Sequence, residues 1–107
     1  MNIIEQNRKQ IELLCDRLRV KTLFAFGSVL TEKFNDKSDI DFLVTFEEIP
    51  LNDYADNYFD LADSLEQVLG RKVDLVSEKT LTNPYLLKSI NRNRIKIYER
   101  RNPGLAA

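Results

Sequence analysis

Apolar residues recur at helical spacing near the start of the chain, at Ile4, Ile11, Leu14, Cys15 and Leu18, and predict a helix over about 3–18. Cys15 lies on that stripe, so its thiol is expected to be a buried core group rather than a nucleophile. The apolar run Leu23–Phe26 reads as a buried strand, ended by Gly27-Ser28. Val29–Lys33 then suits a brief helix, and Asn35-Asp36-Lys37-Ser38 suits a turn. The next segment, 39–46, alternates with the period of a strand. Ile40, Phe42, Val44 and Phe46 fall on one side, and Asp39, Asp41, Leu43 and Thr45 on the other. A helix follows over about 53–69, closed by Gly70 as a C-cap. Its apolar face carries Tyr54, Tyr58, Leu61, Leu65 and Val68, and its outer face Asp53, Asp56, Asp60 and Asp63. A third strand, 72–76, has Asp74 in its middle. Asn83-Pro84 has the form of an N-cap with proline at the first helical position, for a helix ending near Asn93. Ile95–Tyr98 suits a last strand. The order of elements predicts one mixed αβ (α+β) domain over residues 1–99, with 100–107 as a frayed tail.

Composition narrows the chemistry. With 107 residues, 43% hydrophobic and 31% charged, the chain has the makeup of a compact soluble domain. It has no run of the roughly 18 apolar residues a membrane span needs, and its first ten residues lack the apolar core of a signal peptide. Its one cysteine forms no internal disulfide, consistent with the cytoplasm. Histidine is absent, which removes Ser-His-Asp and Cys-His catalysis and leaves hard, oxygen-ligated cations as the metals to consider. A net charge of −1 gives no reason to expect a general nucleic-acid binder. The charges are segregated, however. Residues 47–66 hold seven acidic and no basic residues, whereas 88–101 hold six basic residues and only Glu99 as an acid. Two solvated faces account for this, and so does docking of a charged partner.

Three carboxylates carry the chemical argument. Asp39 and Asp41 are two apart on a strand, so both leave the same face roughly 7 Å apart along the chain. Such a pair repels unless a cation lies between its members, and Mg²⁺ takes a few carboxylate oxygens together with water and substrate phosphate. Asp74 interrupts an apolar strand, where an unpartnered charge is unfavourable. If that strand lies beside the second, the three carboxylates suit a two-metal site for phosphoryl or nucleotidyl transfer. Gly27 would let a phosphate approach the backbone, and Ser28 offers a hydroxyl and amide donors to it. Each piece alone has an ordinary structural reading, with Ser38 equally suited to a turn. Their order and spacing are specific.

Gly27-Ser28, ten intervening residues and Asp39-Ile40-Asp41, with Asp74 in a later apolar strand, resemble the signature of the DNA polymerase beta-like nucleotidyltransferase superfamily. The likeness covers about residues 20–98, and the short length resembles its minimal nucleotidyltransferases (MNT). It implies a small mixed sheet with helices packed on one face. It implies that Asp39, Asp41 and Asp74 are catalytic residues and ligands of Mg²⁺, two ions in the fullest case, with Asp74 also placed as general base. It implies that Gly27 and Ser28, with Ser38 alongside, bind the phosphates of ATP. Relatives often carry an arginine just after the Gly-Ser pair. Here Val29-Leu30-Thr31 stands there, so the positive charge would have to come from Lys33 or Lys37. Larger relatives add a second domain for the acceptor, and the residues here leave no room for one. The resemblance therefore implies a cytoplasmic antitoxin in a hetero-oligomer with a HEPN-type toxin, transferring AMP from ATP to a tyrosine hydroxyl of that partner. The alternative is a non-catalytic binding module that neutralises its partner by complex formation, although such a module has no need of three converging carboxylates. A transferase for a small molecule or an RNA end would need an acceptor pocket for which no residues stand out. RNA contact through residues 88–101 lacks aromatic interleaving beyond Tyr98.

Overall fold

The computed structural model describes residues 2–101. Two short helices, α1 (Asn2–Gln6) and α2 (Arg8–Arg17), replace the expected single one. Asn7 divides them. Its side-chain amide donates to the Ile3 carbonyl (2.8 Å), and its own carbonyl receives the Ile11 N–H (3.0 Å). One residue thus satisfies groups of both helix ends, which a regular periodicity does not reveal. Strand β1 (Val20–Phe26) starts earlier than expected, because Arg19 turns the chain at φ +63° and passes its carbonyl to the Glu47 N–H (2.9 Å). Strand β2 (Ile40–Phe46), helix α3 (Leu51–Leu69), strand β3 (Val73–Ser77), helix α4 (Pro84–Asn93) and strand β4 (Ile95–Glu99) follow, near their expected positions. Gly70 caps α3 in the left-handed region (φ +63°), and Asn83 caps α4 by accepting from the Tyr85 and Leu86 amides.

The four strands form one sheet in the order β3-β2-β1-β4. β1 lies antiparallel to β2 and to β4, while β2 and β3 are parallel. A parallel pair needs a long crossover, and α3 supplies it. Leu61 and Leu65 of α3, Ile4 of α1, and Ile11 and Cys15 of α2 are fully buried, in one cluster with Ile40, Phe42 and Val44 of β2. Three helices therefore cover one face of the sheet, and burial drives this arrangement at roughly 25 cal/mol per Å² of apolar surface. Burial pushes the Cys15 thiol up to about 12, which makes it inert. Asp53, Asp56, Asp60 and Asp63 are all exposed on the outer side of α3. Tyr58 Oη donates to the Leu75 carbonyl and Tyr54 Oη is hydrogen-bonded to Ser77, so α3 is tied to the edge strand β3. Leu43 faces the other side of the sheet. It and Ile90 of α4 are buried outside the main cluster, and Arg94, just past α4, stacks 4.1 Å from the centroid of Phe24.

The basic stretch is only partly a surface charge. Arg94 is stacked, and Lys96 pairs with Glu99 (2.9 Å). Arg100 reaches under the sheet edge, donating to the carbonyls of Val20 (3.0 Å), Cys15 (3.2 Å) and Asp16 (2.7 Å). It also meets the Glu47 (3.2 Å) and Asp16 (3.3 Å) carboxylates. The expected frayed tail is thus held at its first residue, and 102–107 lie outside the described residues. Among the described residues, no helix is long and apolar enough to cross a membrane. Arg100→Ala leaves several carbonyls without their donor, so it should lower unfolding stability by about 1–3 kcal/mol in urea titration. Arg101→Ala, at an exposed position, should change it by less than about 0.5 kcal/mol.

Candidate active site

The site lies at the mouth of the central strands. In the β1–β2–β3 ladders Asp41 is the register partner of both Phe26 and Asp74, so these three residues form one row across the sheet. Asp39 immediately precedes β2, whose first cross-strand bond runs from the Ile40 N–H to the Lys72 carbonyl (3.0 Å). Asp41 and Asp74 are therefore brought together by backbone pairing, with Asp39 two residues along. Asp41 is half-buried, while Asp39 and Asp74 are exposed. Its carboxyl is pushed up to about 6, first by burial and then by the charges of Asp74 and Asp39. Among the described residues, no ion pair reaches any of the three carboxylates.

Gly27 follows the row directly. It has φ +78°, which favours glycine, and a Cβ there would push the Asp41 carboxylate aside. Ser28 lies in the single 3₁₀ turn Gly27–Leu30. The brief helix expected over Val29–Lys33 thus starts earlier and is shorter. Ser28 is half-buried, and its carbonyl accepts from the Thr31 N–H and hydroxyl (both 2.9 Å). Ser38 belongs to a closed turn: its Oγ accepts from the Asn35 N–H (3.1 Å), and its N–H donates to the Asn35 carbonyl (3.0 Å). Lys33 and Lys37 are exposed on the same loop.

Periodicity gave no sign of Arg71. Its guanidinium donates to the Ser38 carbonyl (2.6 Å) and to that of Asn35, and lies 4.6 Å from the centroid of Phe34. A motif search overlooks it because it acts on backbone carbonyls from the far side of a crossover helix.

The donor set fits a hard divalent cation in kind. Carboxylate oxygens of like charge are held side by side, and one is already forced toward protonation. Among the described residues, no three acidic or sulfur side chains converge closely enough to enclose an ion. The three carboxylates expected to converge are thus neighbours along two strands rather than a closed triad, and an Mg²⁺ ion held there would draw the rest of its shell from water and phosphate.

The profile described as polymerase beta, nucleotidyltransferase matches residues 8–103. The chain belongs to this family. A provisionally named protein adenylyltransferase of Methanocaldococcus jannaschii is 38% identical over 90 residues, covering 84% of this chain and 89% of the relative. The protein adenylyltransferase MntA of Thermococcus cleftensis is 34% identical over 80 residues, 75% of each chain. A solved structure of a tri-AMPylated Shewanella oneidensis HEPN toxin in complex with MNT antitoxin shares the fold, at 20% identity. Its TM-score is 0.63, over 90% of this chain and 72% of that one. The α+β fold expected from the sequence is thus the polymerase beta-like nucleotidyltransferase fold, and the chain is a nucleotidyltransferase by family.

Two expectations follow from the geometry. Gly27→Ala should lower stability by about 1–3 kcal/mol, since the left-handed backbone and the collision with Asp41 add. Gly70→Ala, at φ +63° but facing open space, should lower it by only about 1 kcal/mol in the same urea titration. For Asp41, the folded pKa of about 6 exceeds the ordinary 3.8, so the native state binds its proton more tightly than the unfolded chain does. Its contribution is present below pH 3.8 and is lost as pH rises through about 6. Asp41→Asn should therefore flatten the fall in stability across that window, measured by thermal unfolding from pH 3.5 to 7.

Proposed function

We propose that this protein transfers AMP from ATP to a tyrosine hydroxyl of a HEPN-type toxin, releasing pyrophosphate, and is that toxin's antitoxin. The observation that carries the reading is the row formed by Asp41 and Asp74 beside Gly27. It sets two like-charged carboxylates in one row, with Asp41 lying against a backbone position that carries no side chain. The names of the relatives supply the adenylyl group and the class of acceptor.

In this reading Asp39, Asp41 and Asp74 hold Mg²⁺, which neutralises the triphosphate and makes the attacking hydroxyl more acidic when bound. Gly27 and Ser28 cradle the β- and γ-phosphates. Ser38 uses its Oγ as an acceptor within the turn and keeps its own O–H for a phosphate oxygen. The acceptor oxygen attacks the α-phosphorus in line, the bond to the β-phosphate breaks, and Asp74, exposed at the sheet edge, takes the hydroxyl proton. Positioning and charge neutralisation do most of the catalysis. Asp53, Asp56, Asp60 and Asp63, unpaired with any cation among the described residues, offer a docking stripe to a basic partner.

The test is to capture the native partner with this chain and record its intact mass before and after addition of Mg²⁺ and ATP. Wild type should add AMP-sized increments, and Asp39→Asn or Asp41→Asn should abolish them while remaining folded. Increments at near wild-type rate with either variant would exclude this mechanism. A stable complex that never gains mass would show neutralisation by binding alone. Charge reversal by Asp56→Lys with Asp60→Lys should weaken the complex at least tenfold at low salt, measured by titration calorimetry, with unchanged affinity removing the helix from the interface.

A further inference from the structure

We infer that Arg71 is a positioning residue of the site, a clamp that locks the loop delivering Asp39 and Asp41 onto the strand that carries Asp74. The inference rests on the nucleotidyltransferase reading of those carboxylates. β2 and β3 are parallel neighbours joined through α3, so no tight hairpin turn fixes their mutual register. A slip of one residue would send Asp41 to the opposite face of the sheet from Asp74. The ladder and the buried face of both strands carry the register along their length, and two contacts hold it at the mouth. One is the backbone bond from Ile40 to Lys72 (3.0 Å), and the other is the guanidinium of Arg71, which spans the carbonyls of Ser38 and Asn35.

The stack is the feature of the contact that most needs arginine. Two carbonyls are bridged by one planar nitrogen, and the flat face of the group rests on Phe34, 4.6 Å from the ring centroid. Phe34, Asn35 and Ser38 belong to the same turn, so the clamp closes on both ends of it. The turn is already internally bonded, with Lys37 N–H donating to Asn35 Oδ1 (2.8 Å) and Ser38 N–H to the Asn35 carbonyl (3.0 Å). Arg71 therefore moves a preformed unit rather than folding it. Asp39 follows that unit immediately. On the other side, Gly70 ends α3 in the left-handed region and Glu66 Oε2 accepts the Val73 N–H (2.9 Å), so the base of Arg71 is fixed between helix and strand. Asp74 stands three residues further on. One side chain thus couples the two segments whose carboxylates must face each other, without touching substrate or reacting atoms.

The test compares wild type, Arg71→Ala and Arg71→Lys by amide hydrogen exchange and by Mn²⁺ binding, with Mn²⁺ alone as the probe. In Arg71→Ala, exchange at Ser38 and Ile40 should speed up at least tenfold while amides of the β1–β2 ladder keep their protection. Mn²⁺ affinity should fall at least fivefold. Arg71→Lys keeps the charge and a donor nitrogen but loses the flat stack on Phe34, so it should fall between the two. Unchanged exchange at Ser38 and Ile40, or unchanged Mn²⁺ affinity despite faster exchange, would overturn the inference. So would full recovery by Arg71→Lys, which would show that charge alone suffices. Mn²⁺ failing to bind wild type would remove the metal reading of the carboxylates and with it anything for the clamp to position. Binding by wild type that is equal in Arg71→Ala would remove the clamp alone. Protection lost throughout the sheet in Arg71→Ala would make the residue a general structural one and would likewise overturn it.

Discussion

Backbone pairing holds two negative charges side by side. Asp41 faces Asp74 because β2 and β3 are parallel and in that register, not because the carboxylates attract. The partial burial of Asp41, added to the repulsion from Asp74 and Asp39, raises that carboxyl to about 6. Such an arrangement is unfavourable by itself. It is stabilised by the apolar burial on the opposite face of the same strand, where Ile40, Phe42 and Val44 are fully enclosed. Strand alternation thus does both jobs: one face anchors the strand and the other presents the charges.

The rest of the fold maintains that pairing. α3 makes the crossover a parallel pair requires, and its buried leucines press β2 and β3 onto a common core. Gly70 ends it abruptly enough for Arg71 to reach back to the turn before Asp39. β1 lies on the other side of β2 and brings Gly27 to Asp41 with no side chain in between. Gly27, Asp41 and Asp74 thus come together where three chain segments meet.

Much of this could be read from the sequence, for identifiable reasons. Asp39-Ile40-Asp41 sits in a two-residue alternation, so its face is determined by the pattern, and Asp74 stands out as a charge in an apolar run. Gly70 and Asn83-Pro84 are end signals whose physics is local, and both caps form as expected. Arginines were the illegible part. Arg71, Arg94 and Arg100 each spend a long side chain on a distant ring or carbonyl, and no spacing announces such a partner. For the same reason the basic stretch near the C-terminal end looked like a surface and is half structural. The break at Asn7 was hidden because the apolar stripe continues across it, and Arg19 adopts a positive φ that sequence patterns assign to glycine.

The proposal that Asp41 and Asp74, with Asp39 two residues along, take up a cation rests on the fold holding like charges together. Carboxyl-carbon NMR of Asp41, titrated with pH with and without Mg²⁺, tests it most directly. An apparent pKa of about 6 is expected without the metal, falling by more than one unit when Mg²⁺ saturates the site. An Asp41 titration that stays at about 6 across millimolar Mg²⁺, or one that already lies at the ordinary 3.8 without it, would contradict the account.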